Sequence, residues 1–339
     1  MKLTKITLLA GLATASLIPS IASADTLEQV VKKGVLTCGI STGLTGFSAT
    51  DSEGNWEGLD VSVCQSVAAA VLGDSSKVKY VPLTAKERFT ALQSGEIDLL
   101  SRNTTWTETR DTSLGLNFAG VNYYDGQGFL VSKSLGVSSS KELDGATFCI
   151  QAGTTTEVNL TDYFKSNNME YKAVTYDTSA QTIDGFKKGR CDAVTSDASQ
   201  LYSLKLKMDD PTTVLVLPEV ISKEPLGPVV RQGDDQWFNI VKWTMFATLE
   251  AEELGVTQAN VKDQLKSANP SVQRLLGLKG TMGENLGLDA KWAYNIVSQV
   301  GNYGEIFNKT VGTGSPLQID RGLNKLWNDG GLMYSMPIR

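Results

Sequence analysis

Histidine is absent from all 339 residues. That absence removes Ser-His-Asp and Cys-His nucleophile systems and every histidine-containing zinc site, so hydrolytic and metal-dependent chemistry starts at a disadvantage. Positive charge is not in excess: 31 Lys and Arg against 37 Asp and Glu leave a net charge of −6, which argues against nucleic acid as a partner. Beyond the N-terminus no apolar run is long enough to span a bilayer. There is no internal repeat and no low-complexity tract. Cysteine is scarce, limited to Cys38, Cys64, Cys149 and Cys191.

What is present begins with MKLTKITLLAGLATASLIPSIASAD. Two lysines, an apolar stretch and a small-residue end give the order of a secretory signal peptide, with cleavage expected after Ala24. The apolar run is broken by Gly11 and Pro19, and no cysteine follows the cleavage site to carry a lipid. A soluble, exported mature chain is therefore expected. In an exported chain an even number of cysteines points to disulfides, and four cysteines leave three connectivities open. If the chain forms two lobes, one pair per lobe is the economical reading, Cys38 with Cys64 and Cys149 with Cys191.

Strand and helix patterns alternate twice. TLEQVVKKG, VLTCGI, GLDVSVCQSVAAAVLG and KVKYVPL read as helix, strand, helix and strand. A helix over 85–94 and a strand over 97–101 follow, then an extended, Gly-punctuated segment through FAGVNYYDGQGFLVSK. The alternation restarts at ATFCIQ and runs to ASQLYSLKLK; strands separated by helices imply parallel α/β sheets. PEVISKEPLGPVVRQGDD reads as an extended return to the first unit. QWFNIVKWTMFATLEAEELG reads as an amphipathic helix with Glu252 and Glu253 on its wet side. The tail from Val256 to Arg339 carries enough Trp, Tyr, Phe and Leu to pack on a core.

One stretch carries chemistry: SRNTTWTETRD, Ser101–Asp111, directly after a buried strand end. Donors gathered where a strand leaves an α/β sheet commonly hold an anion. The bland alternative is a solvated loop with an arginine paired to Glu108 or Asp111.

Together, the signal peptide, the two α/β units, WEGLDVSVCQSVA, RFTALQSGEIDLLSRNTTWTETRD and IQAGTTTEVNL resemble the family 3 periplasmic solute-binding proteins, the amino-acid receptors of ABC importers. GNYGEIFNKTVG, SPLQIDRGLNKLW and GGLMYSMPIR are similar to the general L-amino-acid-binding subfamily. The resemblance implies a two-lobed periplasmic-binding-protein fold of type II, with a helical C-terminal extension over 256–339. It places lobe 1 at 25–127 and 228–339, lobe 2 at 128–227, and hinge crossings near Gly126–Leu130 and Leu226–Val230. It also implies a monomer in the periplasm, a membrane permease as partner, an L-amino acid as ligand, and no cofactor.

Carried over residue by residue, Arg110 matches the family's fork for the ligand α-carboxylate. Asn103, Thr104 and Thr105 match the donors at the preceding strand end. Thr154 and Thr155 stand at a strand-to-helix junction, where free N–H groups favour an anion, and form the second jaw; a plain N-cap with Glu157 as the reciprocal residue is the alternative. Asp197 matches the carboxylate for the α-ammonium, with an N-cap as its alternative.

The side-chain pocket departs from relatives that take basic ligands: Ser41 stands where they carry an acid, and Ala85 where they carry an aromatic lid. Arg88 and Arg102 lie in the same neighbourhood, and Arg88 resembles the side-chain-binding arginine of acidic-amino-acid receptors. Their bland role is a surface pair with Glu87 or Asp98. Trp106, Tyr124, Phe47 and Leu44 are further candidate lining residues. Polar and acidic L-amino acids are the expected ligands, with Lys and Arg disfavoured. The rival is a dehydratase on the same scaffold, with Glu157 or Asp197 as general acid or base.

Overall fold

A computed structural model describes residues 25–339; the signal peptide expected at 1–24 lies outside the described residues. The chain opens with α1 (Thr26–Lys33), β1 (Leu36–Ser41) and a small hairpin of β2 (Ala49–Thr50) and β3 (Trp56–Glu57). Then come α2 (Leu59–Leu72), β4 (Val78–Leu83), α3 (Arg88–Gln93), β5 (Leu99–Leu100), α4 (Glu108–Ser113) and β6 (Leu116–Phe118). Two short strands, β7 (Tyr123–Asp125) and, much later, β13 (Glu224–Leu226), pair with each other as a two-stranded ribbon. Between them lie β8 (Gln127–Ser132), β9 (Thr147–Gln151), α5 (Thr156–Ser166), β10 (Lys172–Tyr176), α6 (Ser179–Lys187), β11 (Ala193–Asp197), α7 (Ala198–Lys205) and β12 (Val214–Val216). After β14 (Val229–Arg231) and α8 (Asp235–Glu253) come the short helices α9 (Val261–Gln264), α10 (Pro270–Leu275), α11 (Met282–Leu286), α12 (Trp292–Gln299) and α13 (Tyr303–Thr310). The expected helical extension ends there: 311–339 is irregular chain with two single 3₁₀ turns, Gly322–Asn324 and Trp327–Asp329.

These elements make two five-stranded sheets, ordered β4-β1-β5-β14-β6 and β10-β9-β11-β8-β12. In each, a parallel βαβ core is completed by an antiparallel strand that arrives by way of the β7/β13 ribbon: β14 against β5, β8 against β11. The chain crosses between the two sheets through this ribbon. Gly126–Leu130, expected to be the first crossing, belongs almost wholly to β8 inside the second sheet, because Gln127–Val131 is buried throughout, as in a strand flanked on both sides; the chain passes between the sheets at Tyr123–Asp125. Each lobe holds one disulfide, Cys38–Cys64 tying β1 to α2 and Cys149–Cys191 tying β9 to the start of β11.

The apolar pattern of each helix decides where it packs. In α2, the run Val67, Ala68, Ala69 and Ala70 is fully or nearly fully buried. Small side chains let α2 sit between the lobe 1 sheet and a second layer made by α8 and α12, which contributes Trp237, Ile240, Trp292 and Ile296 to the same core. Lobe 2 has separate cores on the two faces of its sheet, one around Phe129, Phe148 and Phe164, the other around Ile183, Leu201 and Leu204.

The C-terminal extension grips lobe 1 and the hinge. Asn324 accepts from Tyr124 N at 2.7 Å and donates to Tyr124 O at 3.1 Å, so one side chain mimics a strand beside β7. Tyr303 donates its hydroxyl to Asn122 O at 2.9 Å, and Phe307 stacks on Tyr123. Arg321 pairs with Glu252, donates to Asn324 O at 2.8 Å and lies over the Tyr303 and Phe307 rings. Glu253 accepts from Ser335 N at 3.3 Å. The side of α8 expected to face water is thus partly covered, and the half-buried Glu252 and Glu253 anchor the extension. Removing the Asn324 side chain strands a half-buried N–H and carbonyl of Tyr124, and an unsatisfied group costs up to about 1–3 kcal/mol when buried. Asn324→Ala is expected to lose about 2 kcal/mol of stability in urea denaturation, and an unchanged midpoint and slope would show that the extension is not bound to the hinge in this way.

Candidate functional site

Strand β5 ends at Leu100, and the chain then turns across the rim of the lobe 1 sheet. Asn103 adopts φ 29°, in the positive range that Asn tolerates better than most residues. Asp60, in the first turn of α2, holds this turn from below: its carboxylate accepts from Asn103 N at 2.8 Å and from Ser101 Oγ at 3.3 Å. Asp60 is 2 % exposed. Burial raises its pKa from 3.8 to about 6, against the lowering exerted by the Asn103 N–H and by Arg102.

Three arginines converge on this rim, all buried. Arg102 donates from Nε to Leu83 O at 3.0 Å, and burial pulls its pKa down to about 10. Arg88, at the start of α3, reaches Gly153 O of lobe 2 at 3.4 Å, and its Nε has no hydrogen-bond partner among the described residues. Burial, then Arg110 and Arg102, push its guanidinium well below the ordinary value. Arg110 donates to Thr105 O at 2.8 Å, and both Arg110 and Arg88 lie over the Phe89 ring, at 5.2 and 4.8 Å. Among the described residues, neither Arg88 nor Arg102 forms the expected ion pair with Glu87 or Asp98. Glu87 accepts from Thr84 N at 3.0 Å, and Asp98 accepts from Thr37 N at 2.9 Å and pairs with Lys33.

Lobe 2 supplies the other wall. At the start of α5, Thr155 makes no side-chain cap, and Glu157 reaches Gly153 N at 3.2 Å instead of completing a reciprocal box. Asp197, where β11 meets α7, likewise makes no cap bond. It faces Asn103 Nδ2 at 3.5 Å, beside Gln200 Oε1 at 3.3 Å from the same nitrogen. Burial, with Asp125 and Glu224 nearby, raises the Asp197 carboxyl well above the usual range.

A residue that sequence reasoning passed over joins the walls. Glu224 on β13, 1 % exposed, accepts at Oε2 from Thr105 Oγ1 at 2.6 Å and from Thr155 Oγ1 at 2.9 Å. Its Oε1 accepts from Asn159 Nδ2 at 2.6 Å and Ser222 Oγ at 2.7 Å. A hydroxyl has one proton. Thr105 and Thr155 therefore turn lone pairs, not donors, toward the cleft. Thr154 and Thr104 give their protons to Gln151 O and Arg102 O, at 2.8 and 2.9 Å. The donor role expected of these four hydroxyls is taken up within the protein in this arrangement, which leaves guanidinium and backbone N–H groups as donors.

One cavity between the lobes is lined by Arg88, Arg102, Asn103, Thr105, Gln151, Thr154, Thr155, Ser196, Asp197 and Gln200. Arg110 stands outside that lining. Ser41, Leu44, Phe47, Trp106 and Tyr124 do not line it either. Ser41 is inside the lobe 1 sheet, with its N–H on Ser48 Oγ at 3.2 Å. Leu44 and Phe47 belong to the core under the extension, Tyr124 to the hinge ribbon, and Trp106 stacks on Phe118 at 5.5 Å near the surface. The walls are drawn together: Lys86 pairs with Asp177 across the gap at 2.7 Å, and Lys207 donates to Gly43 O at 3.3 Å. At Gly153 (φ +77°) an added Cβ would lie 3.0 Å from Lys86 Cγ.

The model of the bacterial extracellular solute-binding proteins, family 3, matches residues 36–259. A general L-amino acid-binding periplasmic protein of Rhizobium johnstonii is 57 % identical over 331 residues, covering 97 % of each chain. A glutamate/glutamine/aspartate/asparagine-binding protein of Rhodobacter capsulatus is 54 % identical over 97 % of this chain and 98 % of its own. A periplasmic binding protein of Brucella ovis, solved with glutathione bound, superposes with a TM-score of 0.92 at 54 % identity, covering 94 % of this chain and all of that one.

The buried acids make stability depend on pH. For Asp60 the folded pKa, about 6, lies above its ordinary 3.8. The folded state therefore holds its proton more tightly, and the associated stability, present below about pH 4, is lost as pH rises through about 6. A shift of this size is on the order of 2–3 kcal/mol. Asp125, partly buried as a residue but with its carboxyl enclosed, is likewise raised to about 6, first by burial. Asp60→Asn is expected to flatten the fall in melting temperature of the ligand-free protein between pH 4 and 7. A slope equal to that of the unsubstituted protein would contradict the assignment.

Proposed function

Because the chain belongs to the bacterial extracellular solute-binding proteins of family 3, we propose that it is a non-catalytic, extracytoplasmic receptor. It closes over one L-amino acid and presents it to the permease of an ABC importer. The carrying observation is Arg88: a buried guanidinium with an unpartnered Nε, on a cavity whose opposite wall carries Asp197. A buried cation without an anion is expensive, and a ligand carboxylate or side-chain carbonyl relieves that cost. Asp197 is suited to the α-ammonium, and the lone pairs of Thr105 and Thr155 add acceptors beside it.

Arg110 stands outside the cavity's lining in this arrangement but directly behind Thr105, to whose carbonyl it donates; in this reading it takes the α-carboxylate through its remaining N–H groups, together with the backbone N–H groups at the start of α5. Arg88 and Arg102 take the side-chain end. Glutamate, glutamine, aspartate and asparagine fit that division, in keeping with the ligands named for the Rhodobacter relative. Lysine and arginine would set a third cation against two guanidinium groups. The γ-glutamyl end of glutathione offers the same zwitterion, so glutathione belongs among the compounds to test. Ligand contacts to both walls exist only when the lobes are together, so binding favours the closed form that a permease can read.

Calorimetric titration of the common L-amino acids tests this: polar and acidic ligands are expected within about two decades of one another, roughly 3 kcal/mol, with Lys and Arg weaker and D-isomers silent. Turnover of an acid substrate would favour the dehydratase scaffold. Arg110→Ala is expected to weaken every ligand by more than about 100-fold, since removing one partner of a desolvated charge pair costs roughly 3–5 kcal/mol. Arg88→Met should instead change the ranking, with glutamate losing more than glutamine. Binding by Arg110→Ala within a few fold of the parent would refute the carboxylate assignment.

A further inference from the structure

Glu224 belongs to neither wall of the cavity, yet it holds both. It sits on the hinge strand β13, directly opposite Asp125 of β7 in the ladder. A single oxygen, Oε2, accepts from Thr105 of lobe 1 and from Thr155 of lobe 2, whose hydroxyl oxygens are themselves 3.5 Å apart. The other oxygen accepts from Asn159, on α5 of lobe 2, and from Ser222. Thr105 is also tied to β13 through its backbone, Trp106 N donating to Pro225 O at 2.8 Å and Gly227 N to Thr104 O at 3.0 Å. The lobe 1 turn thus travels with β13, whereas Thr155 and Asn159 travel with α5. When the hinge opens, one atom cannot follow both threonines, and at least one of these charge-assisted bonds must break.

We propose that Glu224 is the closure latch of the receptor, a positioning residue on the hinge that stabilises the closed cleft for every ligand alike. This rests on the receptor reading above and adds to it a part of the closing energy that no ligand supplies. All four acceptor bonds of Glu224 are present together only in the closed arrangement, and charge-assisted bonds are about twice as strong as neutral ones. Because apparent affinity is the intrinsic affinity scaled by the fraction of competent protein, a latch raises affinity without touching the ligand. The latch also explains why the hydroxyls of Thr105 and Thr155 are turned away from donating to a bound carboxylate.

Glu224→Gln keeps the shape and removes the charge. Small-angle scattering of the ligand-free variant is expected to give a larger radius of gyration than the parent. Calorimetry and stopped-flow should show about tenfold weaker binding of glutamate and of glutamine to the same degree, carried mainly by faster release. Thr155→Val, which removes one arm of the latch, should move both readouts in the same direction and serves if Glu224→Gln does not fold. A lower melting temperature with unchanged ligand-free dimensions and unchanged affinity would overturn the latch and leave a purely structural carboxylate. Weakening confined to one ligand would overturn it too, by making Glu224 a ligand contact. If the parent bound no amino acid, the receptor reading would have failed, while the scattering comparison would still decide the latch.

Discussion

Charge held out of water where the two sheets meet is the constraint on which the rest of this structure depends. Arg88, Arg102 and Arg110 share that region with Asp60, Asp197 and Glu224, and each of the six is less than a tenth exposed. Isolated, any of these groups would be prohibitively costly to bury. Together they are tolerable because backbone groups and neighbouring side chains satisfy most of them. Asp60 is satisfied by the turn it supports, Glu224 by four donors, and Arg102 by Leu83 O and Asn103 Oδ1. Arg88, whose Nε has no partner among the described residues, and Asp197, with one contact at 3.5 Å, are left short, which makes their surroundings receptive rather than merely stable.

The scaffold follows from that need. Two parallel βαβ cores deliver strand ends and helix starts to one gap, and the antiparallel returns, β14 and β8, bring the chain back through a ribbon only three residues long on each side. Asp125 and Glu224 place two acids opposite each other on the ribbon. The disulfides stay within a lobe and do not bridge the two sheets. The C-terminal extension does the opposite of loosening: through Asn324, Tyr303 and Arg321 it stiffens the first crossing and ties it to α8.

Much of this was legible in the residues, and the failures have physical reasons. The alternation of helix and strand patterns is local, and so are the rim turn SRNTTWTETR and the junction AGTTTE, so the two lobes and both walls could be read along the chain. Glu224 could not, because it lies 119 residues from Thr105 in a Pro- and Gly-rich segment that reads only as extended. Asp60 offers no signal along the chain, since its partner, the Asn103 N–H, lies 43 residues away and is brought to it only by the fold. Glu252 and Glu253 carry the outward phase of α8 correctly, but amphipathicity does not say that a later segment will cover that face. The hydroxyl cluster misled in a subtler way: residue type establishes that a threonine can donate, whereas the neighbour that takes its proton is a matter of tertiary structure.

The division of labour at the cleft is tested most directly by a crystal structure with L-glutamate bound. The account predicts the α-ammonium against Asp197, the α-carboxylate against Arg110 and the start of α5, the side-chain carboxylate against Arg88, and Glu224 still holding Thr105 and Thr155. A glutamate whose carboxylates both avoid the three arginines, or one seated outside the gap between the sheets, would contradict it.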